Sequence, residues 1–279
     1  MKHYEMMWKS HDSLDIFAQA WEPTMPLPKA VVCLVHGLGE HTSRYAHVAE
    51  PLGREGFVLF GADLRGHGRS GGARGHLSAI EDFMKDIDVS VEQARLRYPG
   101  LPVILYGHSL GGIQVLYYGL SRKPKLKGVI ATSPGLHTAL EKQYMKVLMA
   151  KVLGSLLPTT TLASGLEPKD LSHDDAVVQA YVNDPLVHDK ITFGFGKVMT
   201  GVTAWVLAHA HEFPLPLLLM HGKADKIAFP SSSTEVAAAL NDKCTLVLWD
   251  DAYHEVHNEM EKGEFFKTMT LWMDARLHE

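Results

Sequence analysis

The chain has 279 residues, of which 46% are hydrophobic and 21% charged, and its formal net charge is −5. This length suits one large α/β domain carrying an insertion. The mildly acidic balance argues against a nucleic-acid surface or a polybasic membrane surface, and no stretch approaches the roughly 20 apolar residues needed to span a bilayer. The two cysteines, Cys33 and Cys244, have neither disulfide nor metal spacing, which fits a reducing compartment. Residues 1–17 are mixed and charged and lack the apolar stretch of a signal peptide, so a cytoplasmic location is expected, with any membrane association peripheral.

Along the chain, apolar and β-branched runs predict strands at 5–9, 14–21, 30–35, 57–62, 102–106, 127–132, 215–220 and 244–249. Helical patterns fall at 45–55, 79–98, 112–121 and 257–277. The unbroken run at 30–35 reads as a strand buried on both faces. Strand–helix alternation predicts a mostly parallel sheet of about eight strands, flanked by helices, with an antiparallel start. The alternation stops between about 137 and 212, a segment that reads mostly helical. The expected organisation is therefore a core of residues 1–136 and 213–279, with a helical cap, 137–212, inserted after the sixth strand. One apolar stripe in the cap comprises Leu140, Tyr144, Val147, Leu148, Val152, Leu156 and Leu157; a second comprises Phe193, Phe195, Val198, Met199, Val202, Trp205 and Val206. Such stripes either line an acyl tunnel and touch lipid surfaces transiently or pack the cap onto the sheet. Both readings favour a substrate with a greasy acyl chain.

Residues 107–112 read G-H-S-L-G-G between an apolar run and a helix-forming run. G-x-S-x-G in a strand–turn–helix context is the nucleophile elbow of α/β-hydrolases. The turn lifts the Ser109 hydroxyl clear of the sheet and brings the first N–H groups of the helix beside it. A serine hydroxyl is a weak nucleophile at neutral pH and needs a base, itself oriented by a third group. In this fold the chain order is Ser, then an acid, then His. Asp225 follows the predicted strand 215–220, and His254 follows the strand 244–249, so these are the expected acid and base. Asp250 and Asp251 are rival acids but sit too close in sequence to His254. His257 is a rival base, and H-E-V-H at 254–257 lacks the i,i+4 histidine pair of a zinc helix. The loop after the strand 30–35 carries Gly37 and Gly39, and the N–H groups of Leu38 and Leu110 are the expected oxyanion donors.

H-G-L-G-E-H-T-S-R-Y at 36–45, D-L-R-G-H-G-R-S-G-G at 63–72, the Ser109 elbow and Y-H-E-V-H-N-E at 253–259, with Y-P-G-L-P at 98–102 and Y-V-N-D-P-L at 181–186, resemble the monoacylglycerol lipase group of serine hydrolases, a lysophospholipase-like group. The resemblance runs from about residue 5 to the C-terminus. It implies an α/β-hydrolase fold, a Ser109–Asp225–His254 triad, oxyanion donors at Leu38 and Leu110, a lipid ester substrate, and no metal or organic cofactor. It also implies that Glu40, Arg44, Tyr181 and His257 line the glycerol end of the pocket. A glycerol brings two free hydroxyls that need partners once water is excluded. For Glu40 and Arg44 a structural ion pair bracing the oxyanion loop stands equally open. Leu38 and Leu110 depart from the alanine and methionine usual in the animal enzymes, and the cap matches poorly, so chain-length preference does not carry over. The same triad serves carboxylesterases, lysophospholipases and thioesterases. A non-catalytic binding protein on this fold would have lost part of the triad, and here it is intact.

Overall fold

The computed structural model describes residues 1–138 and 152–278. The strands are β1 (Lys2–Lys9), β2 (Asp15–Glu22), β3 (Ala30–Val35), β4 (Phe57–Ala62), β5 (Val103–His108), β6 (Gly128–Thr132), β7 (Thr161–Ala163), β8 (Lys190–Thr192), β9 (Leu217–Gly222) and β10 (Cys244–Trp249). Eight of them form one sheet in the order β1-β2-β4-β3-β5-β6-β9-β10, and β7 and β8 form a separate antiparallel ribbon. β1 and β2 pair antiparallel, as do β2 and β4; every later pairing in the large sheet is parallel. Each predicted strand of the sheet is present, with ends shifted by a few residues at most.

Alternation along the strands explains why the parallel ones read as unbroken apolar runs. In β3, Val31, Cys33 and Val35 enter one core cluster while Ala30, Val32 and Leu34 enter another on the opposite face. Leu217 and Leu219 of β9 separate from Leu218 and Met220 in the same way. Both faces are covered, so no position on these strands can be polar without cost. One face is closed by α1 (Ala46–Arg54) and by the last helix of the chain, which contributes Phe265, Met269 and Met273. The other is closed by α2 (Ile80–Arg97), α3 (Leu110–Arg122) and residues of the insertion.

The described residues of the insertion between β6 and β9 combine helices with short extended pieces. They include α4 (Asp175–Asn183), α5 (Phe193–His209) and the β7–β8 ribbon. Thr192 N-caps α5 by accepting from the Phe195 N–H, which is why the helix starts at Phe193. Phe195, Met199, Val202 and Val206 are buried in the same cluster as Leu116 and Leu120 of α3. This stripe therefore packs the insertion onto the sheet. Of the other stripe, Leu140, Tyr144, Val147 and Leu148 lie outside the described residues, while Val152, Leu156 and Leu157 are exposed. Past β9 come α6 (Pro230–Leu240) and α7 (Lys262–Leu277). The predicted helix 257–277 splits in two: a short 3-10 turn, Val256–Asn258, precedes α7. Among the described residues no helix is long and apolar enough to cross a membrane.

β3 has β4 on one side and β5 on the other. The chain thus leaves β3 to one side and returns on the other, opening a crevice at the carboxyl ends of these strands. Open α/β sheets bind ligands at such a switch point. The loops after β3, β5, β6, β9 and β10 all meet there.

Candidate active site

Ser109 joins β5 directly to α3 with φ 53° and ψ −112°, a conformation that costs a non-glycine residue about 1–3 kcal/mol. The flanking glycines explain how the turn closes. A Cβ on Gly107 would lie 2.2 Å from the Gly111 carbonyl oxygen, and one on Gly111 would lie 1.9 Å from the Val35 oxygen. The Ser109 N–H donates to Thr132 O at 2.9 Å, tying the elbow to β6. The helix begins at Leu110 rather than at 112, since its glycines serve this close approach despite their poor helix propensity.

His254 Nε2 lies 2.9 Å from Ser109 Oγ, and His254 Nδ1 lies 2.7 Å from Asp225 Oδ2. His254 and Asp225 are 1% and 5% exposed, so little water competes for either contact. Burial alone would pull the imidazole down; the Asp225 carboxylate, with Glu255 and Glu40 further off, outweighs it and holds His254 above the usual histidine value. Burial would push Asp225 up, but His254 and His221 hold it well below the usual carboxylate range. Asp225 Oδ1 also accepts from the N–H groups of Ile227 (2.8 Å) and Ala228 (3.0 Å). The rival acids are elsewhere: Asp250 pairs with Lys223 at the surface, and Asp251 is exposed.

The loop after β3 lies against the elbow, for a Cβ on Gly37 would come 3.3 Å from the Ser109 Cβ. His36 Nε2 accepts from the Leu64 N–H at 2.8 Å, so Nδ1 carries the hydrogen and donates to Gly37 O at 2.8 Å. Burial keeps this imidazole neutral. The Gly37 carbonyl and the Leu38 N–H belong to one trans peptide and point opposite ways, so fixing the carbonyl also fixes the Leu38 donor. Leu110, the first residue of α3, has no intrahelical acceptor for its own N–H.

Glu40 and Arg44 are brought together, and each is bonded to protein groups around it. Glu40 is 2% exposed; it accepts from the Gly37 N–H (2.6 Å) and the Tyr45 hydroxyl (2.7 Å) and pairs with Arg44. Arg44 in turn makes a two-point contact with Glu255 at 2.7 and 2.8 Å. The loop after β3 and the loop carrying His254 are thereby locked to one another, with the polar atoms of Glu40 committed to protein partners. Tyr181, on α4, lies under the Arg44 guanidinium, 4.8 Å from ring centroid to cation. A Cβ on Gly39 would lie 3.6 Å from its hydroxyl. His257 is 1% exposed, stacked on Tyr45 at 4.9 Å and edge-on to His108 at 4.8 Å. Burial drives it down to about 3, so it is neutral across the physiological range.

Three further residues hold the site that the spacing argument did not single out. His221 Nε2 is 3.1 Å from Asp225 Oδ2. The Ser133 hydroxyl donates to the His254 carbonyl at 2.7 Å. Glu255 joins Arg44 to Asn258, whose amide donates at 2.7 Å. The signals were present in H-G-K-A-D at 221–225 and in the residue after His254, but a triad search asks only for three side chains. The insertion is also tied to this machinery: the His188 N–H donates to Gly39 O at 2.9 Å, and His41 Nε2 lies 2.9 Å from Asp184 Oδ2.

Residues 26–261 match the family described as "Serine aminopeptidase, S33". Over 270 residues the chain is 38% identical to an uncharacterized abhydrolase domain-containing protein of Dictyostelium discoideum, of whose length it spans 28%. It is 34% identical over 264 residues to a monoacylglycerol lipase of Mycolicibacterium smegmatis, covering 94% of each chain. The crystal structure of a Paleococcus ferrophilus monoacylglycerol lipase superposes with a TM-score of 0.83 at 34% identity, covering 99% of this chain and 100% of that one. With its parallel sheet, its strained elbow serine and these full-length matches, the chain belongs to the S33 serine hydrolase family of the α/β-hydrolase fold, within its monoacylglycerol lipase group.

Proposed function

We propose that the protein hydrolyses monoacylglycerols to fatty acid and glycerol through an acyl-enzyme on Ser109. The observation that carries this is the continuous hydrogen-bonded line from Ser109 Oγ through His254 to Asp225, set in a chain similar over nearly its whole length to named monoacylglycerol lipases. His254 Nε2 takes the Ser109 proton as Oγ bonds to the ester carbonyl carbon. Asp225 fixes the Nδ1–H tautomer and stabilises the imidazolium. The carbonyl oxygen, now an anion, accepts from the Leu38 and Leu110 N–H groups, fixed donors that need no reorganisation. Collapse of the tetrahedral centre breaks the C–O bond to glycerol, which leaves with the proton from His254. Water then adds to the acyl-enzyme, its proton passing to His254 and back to Ser109 as the fatty acid departs.

In this reading Glu40 and Arg44 brace the oxyanion loop, because their polar atoms face each other, Gly37, Tyr45 and Glu255. His257 packs as a neutral ring against His108, which in turn packs against His254. The Tyr181 hydroxyl, next to Gly39, is the remaining member of the cluster with a group to offer glycerol. Residues 137–212 act as the cap over the acyl chain, and exposed Val152, Leu156, Leu157 and Val182 supply its transient contact with lipid surfaces. A cytoplasmic location suits the two free cysteines. The test is an initial-rate panel over monoacylglycerols, diacylglycerols, triacylglycerols, lysophospholipids and an amino-acid p-nitroanilide. Monoacylglycerol is expected to give the highest kcat/KM. A higher value for lysophospholipid, or for the anilide, overturns the proposal.

A further inference from the structure

Asp225 Oδ2 is shared. It lies 2.7 Å from His254 Nδ1 and 3.1 Å from His221 Nε2. His221, next to the last residue of β9, has no exposed surface. Its tautomer follows from its neighbours. Nε2 also lies 3.0 Å from Ala228 O; a carboxylate and a carbonyl are both acceptors only, so Nε2 carries a hydrogen. Nδ1 lies 2.8 Å from Ser233 Oγ on α6, and that hydroxyl can donate to it. A neutral imidazole is thus satisfied at both nitrogens, with one N–H aimed at the triad acid.

We propose that His221 is a positioning residue of the reaction: its Nε2–H shares Oδ2 with His254, fixing how the carboxylate faces the catalytic imidazole and drawing off part of the charge that imidazole feels. The proposal rests on Ser109, Asp225 and His254 being the catalytic triad. The titratable groups around His254 are Asp225, Glu255 and Glu40 on the acidic side, with the imidazoles of His108 and His257. Around His221 they are Asp225 and His108. With the His221 donor removed, Asp225 acts on His254 undiluted, and the base holds its proton to higher pH. The carboxylate also loses one of the contacts that stop it turning.

The experiment compares His221→Leu, His221→Gln and Ser233→Ala, with every rate expressed per active site titrated by a fluorophosphonate probe. In His221→Leu, kcat is expected to fall by roughly 13- to 160-fold, as for a lost hydrogen bond to a charged group, with KM unchanged and the acid limb of the pH–rate profile moved up. His221→Gln, whose amide keeps a donor within reach, is expected to restore both. Ser233→Ala, which frees Nδ1, is expected to move kcat and the limb in the same direction by less. A merely structural role would lower the titratable fraction and leave kcat per site and the limb where they were; that result overturns the proposal. Should His221→Leu fail to fold, an unmoved limb in Ser233→Ala does the same. Failure of the probe to label Ser109 in the unaltered protein overturns the triad reading instead, so the two failures are distinct.

Discussion

Arg44 is the side chain that joins the loop after β3 to the loop carrying His254, and replacing it separates bracing from substrate binding. Glu40 and Glu255 are 2% and 1% exposed, and Arg44 pairs with both. Arg44→Met keeps the length of the side chain and leaves two buried carboxylates without their cation. Breaking a buried pair by removing one partner costs about 3–5 kcal/mol. At roughly 2–4 °C per kcal/mol for a chain of this size, the midpoint of thermal unfolding at pH 7.5 should fall by about 6–20 °C. The loss should shrink in acid. Burial pushes Glu255 up and Arg44 overrides it, holding the carboxyl below its ordinary range. The stabilisation is therefore present above the ordinary carboxylate range and is lost as pH falls through the lowered native value. The matching assay is kcat/KM for a monoacylglycerol and for a p-nitrophenyl ester of the same acyl chain. A brace serves the oxyanion loop whatever the leaving group, so both values should drop by the same factor. A selective loss on monoacylglycerol with an unchanged melt would refute the bracing argument and put Arg44 in the glycerol pocket.

Asp225→Asn should reduce turnover by about 10⁴-fold, whereas Asp250→Asn, at a surface pair with Lys223, should stay near the parent rate; comparable losses would contradict the assignment. Tyr181→Phe should cost roughly 2- to 13-fold in kcat/KM on monoacylglycerol, the worth of one hydrogen bond, while sparing the p-nitrophenyl ester; an equal loss on both would return Tyr181 to the scaffold. His36, His67, His108 and His257 are all buried, and burial holds each below the ordinary histidine value. The unfolded chain takes up protons below about pH 6.5 that the native state refuses, so stability should fall with pH by about 1.4 kcal/mol per unit for each such group, partly offset by His254, whose value is raised. Urea midpoints at pH 7.5 and 5.0 measure this. His257→Gln should flatten the slope, and equal midpoints in the parent would refute it.

The sheet was legible because both of its faces are covered. A strand such as β3, with Val31 and Val32 sent to different cores, is apolar throughout and cannot be mistaken for a surface segment. That Ser109, His254 and Asp225 meet was legible because chain order and strand ends restrict where an acid and a base can stand, and Asp225 and His254 fulfil both conditions. What stayed hidden were contacts between distant loops. Arg44 and Glu255 are 211 residues apart, and nothing local distinguishes a buried brace from a glycerol contact, since both call for charged groups beside the nucleophile. His221 was hidden for the opposite reason: as the end of an apolar strand it needed no role. In the insertion, extended pieces such as β7 and β8 are three residues long, too short for a period-2 pattern to emerge.

The most direct measurement is the release of fatty acid and glycerol from a monoacylglycerol before and after stoichiometric fluorophosphonate labelling, with the adduct located by peptide mass spectrometry. The expected result is equimolar release that disappears in proportion to the labelled fraction of Ser109, and a Ser109→Ala variant that folds normally but has lost at least about 10³-fold in turnover. Release that survives complete labelling, an adduct on a different serine, or no release from monoacylglycerol by the unlabelled protein would contradict it.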